Sequence, residues 1–177
     1  MQWLNGCVKI LGNYEMKNKK YELLTDDTID YFGRTLYRIK AKIDFGDVKK
    51  GQLGGFVEKE KNLSHYGNAW VSDDAWVTDN AMVSGNAWAS DNARLSGNAR
   101  VSGNARVSDL CDVIVFKNHW SSGRHFTYTK SNKMWRVGCF YGTGTELIAK
   151  AYKDSEVSGK YYESYVNLVL ELENIDE

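Results

Sequence analysis

The sequence predicts a mainly β protein in which strands cap a short β-solenoid and a small α+β module of three strands and two helices follows. Three observations lead to this prediction. A six-residue repeat runs from Asn68 to Asp109, alternating apolar and charged residues precede it, and strand-like runs followed by two helical patterns come after it. The predicted divisions are an amino-terminal extension at 1–15, a strand cap at 16–56, the solenoid at 57–109 and the module at 110–177.

The repeat comprises seven hexads that begin with Asn or Asp. The second residue is always Ala, the fourth is aliphatic or small, the fifth is Ser or Thr, and the sixth is Asp or Gly. An apolar residue between polar neighbours follows the period of a strand with one buried face, so we expect the fourth residue to point inward. The sixth residue and the next Asn favour left-handed or tight-turn backbone. A period of six therefore indicates a β-solenoid rather than a helical repeat.

The segment Val101–Arg106 resembles the hexapeptide repeat of left-handed β-helices. That resemblance implies three hexads per coil, with positions eighteen residues apart stacked at the usual strand spacing. It also implies a homotrimer, because the family commonly forms trimers. The expected inner columns are Val71, Ala89 and Val107, then Val77 and Leu95, and finally Val83 and Val101.

The third residue of each hexad is expected to point outward, and it carries the predicted binding surface. These residues are Trp70, Trp76, Met82, Trp88, Arg94, Arg100 and Arg106. Trp, Met and Arg are enriched at subunit contacts, so an oligomer interface is the first interpretation. A ligand groove is the second, with Trp stacked on a planar group and Arg neutralising a phosphate or carboxylate. Packing against the chain's own termini is the third, and the sequence leaves all three open.

The amino-terminal part predicts strands at 21–24 and 35–45, in which Tyr37, Ile39, Ala41 and Ile43 form the buried face. Turns are expected at Asp26–Asp27, Gly33 and Gly54–Gly55. Phe56 to Leu63 predicts an irregular first coil with two residues inserted near His65–Tyr66, which suits a cap over an exposed strand edge. Met16 is expected to be the natural initiator, which makes the first fifteen residues an upstream extension.

The segments Gly33–Ile39, Phe45–Glu58 and Asn62–Ser64, followed by Asn-Ala repeats, resemble phage and prophage hexapeptide-repeat proteins that have no established general activity. The segment Gly138–Thr143 resembles a carboxy-terminal module of the same group. The resemblance implies a phage context, with the protein in the bacterial cytoplasm or on the virion. The module's recurrent residues map here to Arg124, Thr127, Gly138, Cys139, Phe140, Gly142 and Thr143; structural duty is the favoured role. Arg124, His125, Thr127 and Cys139 form a predicted secondary site.

The module predicts an antiparallel meander of strands at 112–117, 124–129 and 134–140, separated by turns at 121–123 and 131–132. Thr143 and Glu146 have the spacing of a capping box, which predicts a helix through about residue 153. A second helix is expected over 159–173. Its apolar face should comprise Tyr161, Tyr165, Leu168 and Leu172, widened by Val166 and Val169.

Composition excludes several classes. The net charge is zero, so no global field draws the chain to nucleic acid or a membrane, and no apolar run or signal peptide is evident. Three separated cysteines (Cys7, Cys111 and Cys139) predict neither a disulfide framework nor a metal site. We expect no cofactor and no metal. Possible partners are further copies of the chain, a host protein or an anionic small molecule.

A catalytic arrangement is not evident, since His65, His119 and His125 all lie outside the hexads. A Cys139 nucleophile with His125 as base is conceivable, but a buried structural thiol is the preferred interpretation. Backbone amides at Gly142–Thr145 could hold an anion at a helix start. We therefore expect a non-catalytic phage-encoded binding or assembly protein. The alternatives are an anti-defence protein that sequesters a host nucleotide signal or immune protein, and an acyltransferase-like enzyme with its base outside the coils.

Overall fold

The computed structural model describes residues 19–175, so the predicted extension and Met16 lie outside the described residues. Fourteen strands and two α-helices follow one another in this part of the chain. The first three strands precede the repeat: β1 (Tyr21–Tyr31), β2 (Arg34–Ala41) and β3 (Leu53–Val57). Each hexad then contributes one two-residue strand. These are β4 (Trp70–Val71), β5 (Trp76–Val77), β6 (Met82–Val83), β7 (Trp88–Ala89), β8 (Arg94–Leu95), β9 (Arg100–Val101) and β10 (Arg106–Val107).

The hexad strands pair in parallel with strands three hexads away, so each ladder joins residues eighteen apart. Strand β7 lies between β4 and β10, β5 pairs with β8, and β6 pairs with β9. The fourth hexad residue and the invariant Ala are buried in every hexad, because both point into the core that the three ladders share. The predicted inner columns are confirmed.

The hexad corners use left-handed backbone at one repeated position. The residues there have φ between 53° and 70°: Gly67, Asp73, Asp79, Gly85, Asp91, Gly97 and Gly103. Asp and Gly are among the residues that adopt this conformation at low cost, the first because its carboxylate can bond to nearby backbone. The predicted role of the sixth hexad residue is confirmed in the first six hexads, whereas Asp109, in the seventh, has extended backbone and begins a short 3-10 turn.

The amino-terminal strands cap one end of the solenoid. Strands β1, β2 and β3 are antiparallel, and β3 then pairs in parallel with β5, where Phe56 faces Trp76. This spacing is twenty residues rather than eighteen, as is the bridge from Leu63 to Val83, so the predicted two-residue insertion is confirmed. The predicted turn at Asp26–Asp27 is wrong, because β1 absorbs these residues in an irregularity between Leu23 and Thr28. The predicted buried position of Ile43 is also wrong: it lies past the end of β2 and is 44% exposed.

Gly54 and Gly55 lie within β3 rather than in the turn that the sequence predicts. A Cβ on Gly54 would lie 2.5 Å from the carbonyl oxygen of Val71, and one on Gly55 would lie 2.3 Å from that of Ala75. Glycine is needed here because the cap strand and a solenoid corner approach closely.

The carboxy-terminal module is a four-stranded antiparallel meander with two helices on one face. Its strands are β11 (Val113–Lys117), β12 (His125–Thr129), β13 (Met134–Val137) and β14 (Phe140–Gly142). The fourth strand was not predicted; it arises because Gly138, at φ +59°, turns the chain inside the run 134–140. Helix α1 spans Gly144–Asp154 and has the predicted capping box of Thr143 and Glu146. Helix α2 spans Glu156–Ile175.

The buried face of α2 differs from the prediction. Its core residues are Ser158, Gly159, Tyr162, Val166 and Val169, which pack with α1 against the sheet. The prediction is right for Val166 and Val169, which are buried, and for Tyr165, which packs against the core. It is wrong for the other three residues: Tyr161 and Leu172 each expose 37% of their surface, and Leu168 exposes 41%. The helix has two apolar faces. The buried one contains Ser158 and Gly159, because these small residues allow α1 to approach closely.

The module also covers two of the three strand edges at the second end of the solenoid, those of β9 and β10, through side chains rather than a β-ladder. The backbone N–H of Arg100 donates to Oγ1 of Thr127 at 3.0 Å, and that of Arg106 donates to Oγ of Ser131 at 2.9 Å. The N–H of Ser108 donates to a carboxylate oxygen of Asp112 at 2.7 Å. These contacts satisfy edge groups that would otherwise invite pairing with another chain.

Candidate functional site

The tryptophans of the predicted binding surface are mostly covered by the chain itself. Trp70 is fully buried beside Phe45, and their ring centroids are 5.4 Å apart. Trp76 is only 8% exposed because it packs on Tyr31, with ring centroids 4.3 Å apart. The expectation that both indoles are displayed to solvent is therefore wrong. The amino-terminal strands lie over these faces, which is the third of the interpretations that the sequence leaves open.

The remaining outward residues lie on three different ladders, so no single face presents them together. Trp88 is half-buried and donates from Nε1 to Oγ of Ser72 at 2.8 Å. Arg94 and Arg106 are exposed, and each lies 5.3 Å from an indole ring of the hexad three before it. Arg100 is also exposed and stacks on the ladder of Met82, next to the carboxy-terminal module.

The face of the module that meets the solenoid is polar. Side chains alternate along β12, so Phe126 and Tyr128 enter the helix-covered core while Thr127 and Thr129 point the other way. Arg136 on β13 is the cross-strand neighbour of Thr127 and so lies on the same face. The contact between module and solenoid therefore combines hydrogen bonds from this polar face with one apolar contact, in which Val113 of β11 packs against the solenoid core.

A cleft of about 270 Å³ opens at this contact, and we call it the junction cleft. It is lined by Asn80, Asn98 and Arg100 from the solenoid and by Arg124, His125 and Gly138 from the module. It thus brings together one residue of the predicted outward set and two of the predicted secondary site. The sequence analysis missed Asn80 and Asn98, although their shared place at the start of hexads eighteen residues apart could have indicated a stacked pair.

The other two secondary-site residues lie outside the cleft lining. Thr127 is buried and accepts the hydrogen bond from the backbone of Arg100, which is a structural role. Cys139 is exposed and is part of a disulfide, so both the buried thiol and the nucleophile interpretations are wrong. Cys111 is an exposed free thiol.

The junction cleft is positively charged. Arg136 lies behind Arg100, and burial together with the charge of Arg100 lowers the pKa of Arg136. Within residues 19–175, no carboxylate forms an ion pair with Arg100, Arg124 or Arg136. Asp79, which precedes Asn80, is occupied: it accepts from Arg34 and, at 3.0 Å, from the N–H of Gly97. The arrangement offers guanidinium donors, which suit phosphate and carboxylate groups.

The histidines are dispersed. His65 packs on Tyr21 with ring centroids 4.3 Å apart, accepts from the N–H of Lys20 at 3.2 Å, and contacts Glu60 at 2.9 Å. The carboxylate contact was not expected from the sequence; the contacts of His65 with Lys20 and Tyr21 tie the cap to the first coil. His119 is exposed and touches Trp120 edge-on. Only His125 lines the junction cleft.

The predicted anion position at Gly142–Thr145 is already filled by the chain. The Glu146 carboxylate accepts from the backbone N–H of Thr143 at 2.8 Å and from its hydroxyl at 3.0 Å. The described part of the chain contains no group of three or more His, Cys, Asp or Glu side chains placed to hold a metal ion. Among its helices, none combines the length and the apolar character that crossing a bilayer requires.

Comparison with known proteins supports the solenoid. A family model described as the YdcK β-solenoid repeat matches residues 93–109, which cover the last three hexads. No curated protein matches the chain. The chain is therefore similar to β-solenoid repeat proteins in the segment that contains Arg94, Arg100 and Arg106.

Proposed function

We propose that this protein is a non-catalytic binding protein, and that it takes an anionic group in the junction cleft. The observation that carries the proposal is that Arg100 and Arg124 line one cleft, with Arg136 close to Arg100, and that none of the three has an acidic partner among the described residues. Three like charges at one contact raise the energy of the empty site, and an anion would relieve this repulsion. The proposal includes a left-handed winding of the solenoid, for which the eighteen-residue ladders are the support.

Replacing the cleft arginines tests the proposal. We expect inorganic phosphate or citrate to raise the melting temperature of the native protein, and Arg100→Ala or Arg124→Ala to abolish most of that rise because each removes a bidentate donor. Arg94→Ala is the matched control, since Arg94 has the same hexad position on another ladder. Differential scanning fluorimetry provides the measurement. An equal loss in all three variants would indicate nonspecific charge screening and contradict the proposal.

A sequestering role is one form of this function. A host nucleotide signal carries phosphate groups, and the cleft offers arginine donors together with two side-chain amides that could contact the rest of such a molecule. The phage context remains a proposal on the sequence resemblance alone. An acyltransferase-like reaction would have to use His125, the one histidine in the cleft lining.

Self-assembly is the second candidate function, and the outer face of α2 favours it. Leu168, Leu172 and Ile175 follow one another at spacings of four and three residues, as in the seam of a coiled coil. Tyr161 and Tyr165 continue this spacing towards the start of the helix, but they pack on Trp120 and Phe116 of the same chain, so the free part of the seam is its last two turns. Ile175 is 78% exposed and Leu168 is 41% exposed. We propose that the occupant of this seam is the same helix of two further copies, giving a parallel homotrimer, because a parallel coil brings identical apolar residues together in layers.

A further inference from the structure

The junction between solenoid and module contains hydrogen bonds between neutral groups and a pair of like-charged arginines. The backbone of Arg100 is held by Thr127, and Arg136 is the cross-strand neighbour of that threonine, so the two arginines meet across the junction. A hydrogen-bonded contact between neutral groups contributes little net free energy, while adjacent guanidinium groups repel each other. Whatever neutralises this pair would strengthen the attachment of the module.

The ends of the junction differ in what they contain. The junction cleft, which Arg100 lines from the solenoid and Arg124 lines from the module, lies at one end. At the other end, the Ser131 hydroxyl accepts a hydrogen bond from the backbone N–H of Arg106, and Asn132 donates to the hydroxyl of Tyr141 at 3.1 Å. The second end lies outside the cleft lining, so it reports on attachment without contacting a ligand in the cleft.

We propose that the junction cleft binds the dianionic phosphate group of a phosphomonoester, and that this binding holds the module against the solenoid. The inference rests on the proposed function, since it names the ligand class and the consequence of occupying the same site. Arg100 supplies one guanidinium from the solenoid and Arg124 supplies one from the module, so an anion bound to both bridges the two parts.

A dianion fits the cleft better than a monoanion. One carboxylate neutralises one arginine, whereas a phosphate dianion presents three terminal oxygens and can accept forked donation from two guanidinium groups at once. Arg136 adds a third positive charge behind Arg100. The amides of Asn80 and Asn98 remain as donors and acceptors for the neutral part of the ligand.

Titration calorimetry with two matched probes tests the ligand class. Methyl phosphate at pH 7.5 is a dianion, and dimethyl phosphate has the same tetrahedral centre with one charge fewer. We expect methyl phosphate to bind at least about tenfold more tightly to the native protein, and Arg124→Ala to remove that preference. Equal affinities would overturn the assignment of a dianion site while leaving anion binding intact. Absence of binding by either probe or by citrate would overturn the proposed function as well.

Amide hydrogen exchange tests the attachment. We expect saturating methyl phosphate to slow exchange of the Arg106 N–H at least about threefold in the native protein and not in Arg100→Ala, because that N–H is protected only while Ser131 is in place. The N–H of Trp88, which donates to Ala105 within the solenoid, is the internal control and should not change. If methyl phosphate binds and Arg106 exchange stays the same, the link between binding and attachment is wrong.

Discussion

At the scale of single residues, Lys20 is the most unusual group of the cap. It is 2% exposed, and its Nζ donates to the carbonyl oxygen of Ala69 at 2.6 Å and lies 4.6 Å from the ring of Phe45. It thereby satisfies a carbonyl at the start of the first regular coil. Burial lowers the pKa of Lys20 from 10.5 to about 8, because the charged form loses its hydration.

This shift predicts how stability depends on pH. Between pH 8 and 10.5 the unfolded chain keeps a proton on Lys20 that the folded chain releases, so the free energy of unfolding should rise with pH. Between pH 8.5 and 9.5, we expect the free energy of unfolding of the native protein to rise by about 1 kcal/mol per pH unit more than that of Lys20→Met. Urea titrations measure both values. The upper limit matters because burial raises the pKa of Tyr21, and that opposing effect begins near pH 10. Parallel curves for the two proteins would rule out the shift.

At the scale of elements, the last solenoid corner fits the module through one glycine. A Cβ on Gly103 would lie 1.8 Å from the hydroxyl oxygen of Tyr141, whereas one on Gly97, at the equivalent corner before it, would meet nothing within 4 Å. Both glycines have left-handed backbone, with φ of 68° and 61°. Alanine variants of these two glycines therefore separate the free-energy cost of left-handed backbone from the cost of displacing Tyr141.

We expect Gly97→Ala to lower the free energy of unfolding by about 1 to 2 kcal/mol, which is the cost of left-handed backbone for a residue with a Cβ. Gly103→Ala should cost about 1 kcal/mol more, since the Tyr141 side chain must move aside and lose the hydrogen bond from Asn132. Urea denaturation gives both values. In a Tyr141→Ala background the difference between the two glycine variants should disappear, and a difference that persists there would mean that the contact is not the cause.

Local pattern was enough to predict the solenoid and not enough to predict its surroundings. The hexad places Val77 inside and Asp79 at a corner whatever the rest of the chain does, because a two-residue strand and one left-handed residue determine both. The burial of Trp70 depends in part on Phe45, twenty-five residues earlier, and no period records that contact. The junction cleft has the same origin, since Arg100 and Arg124 meet only after the module folds onto the solenoid edge.

At the scale of the whole molecule, both ends of the solenoid are covered in the described residues, the first by the cap and the second at β9 and β10, while β8 remains an edge strand. The cap covers the first coil with β3 and the side chain of Lys20, and the module covers the last coil with Thr127, Ser131 and Asp112. Edge groups that are satisfied in this way do not recruit another solenoid end to end. A lateral surface is the other route to association between copies, and the outer face of α2 is such a surface.

The exposed seam on α2 predicts a trimer that depends on particular leucines. Light scattering at micromolar concentration should return three times the chain mass of 20.1 kDa for the native protein, and the monomer mass for the double variant Leu168→Glu with Leu172→Glu, because two charges per helix would meet at the centre of the coil. Leu170→Glu is the matched control: Leu170 is 52% exposed but lies off the seam, so this variant should keep the native mass. Circular dichroism of each variant verifies that α2 is still folded. A native protein that scatters as a single chain would eliminate self-assembly as a function, and dissociation of the Leu170 variant would place the contact elsewhere on the helix.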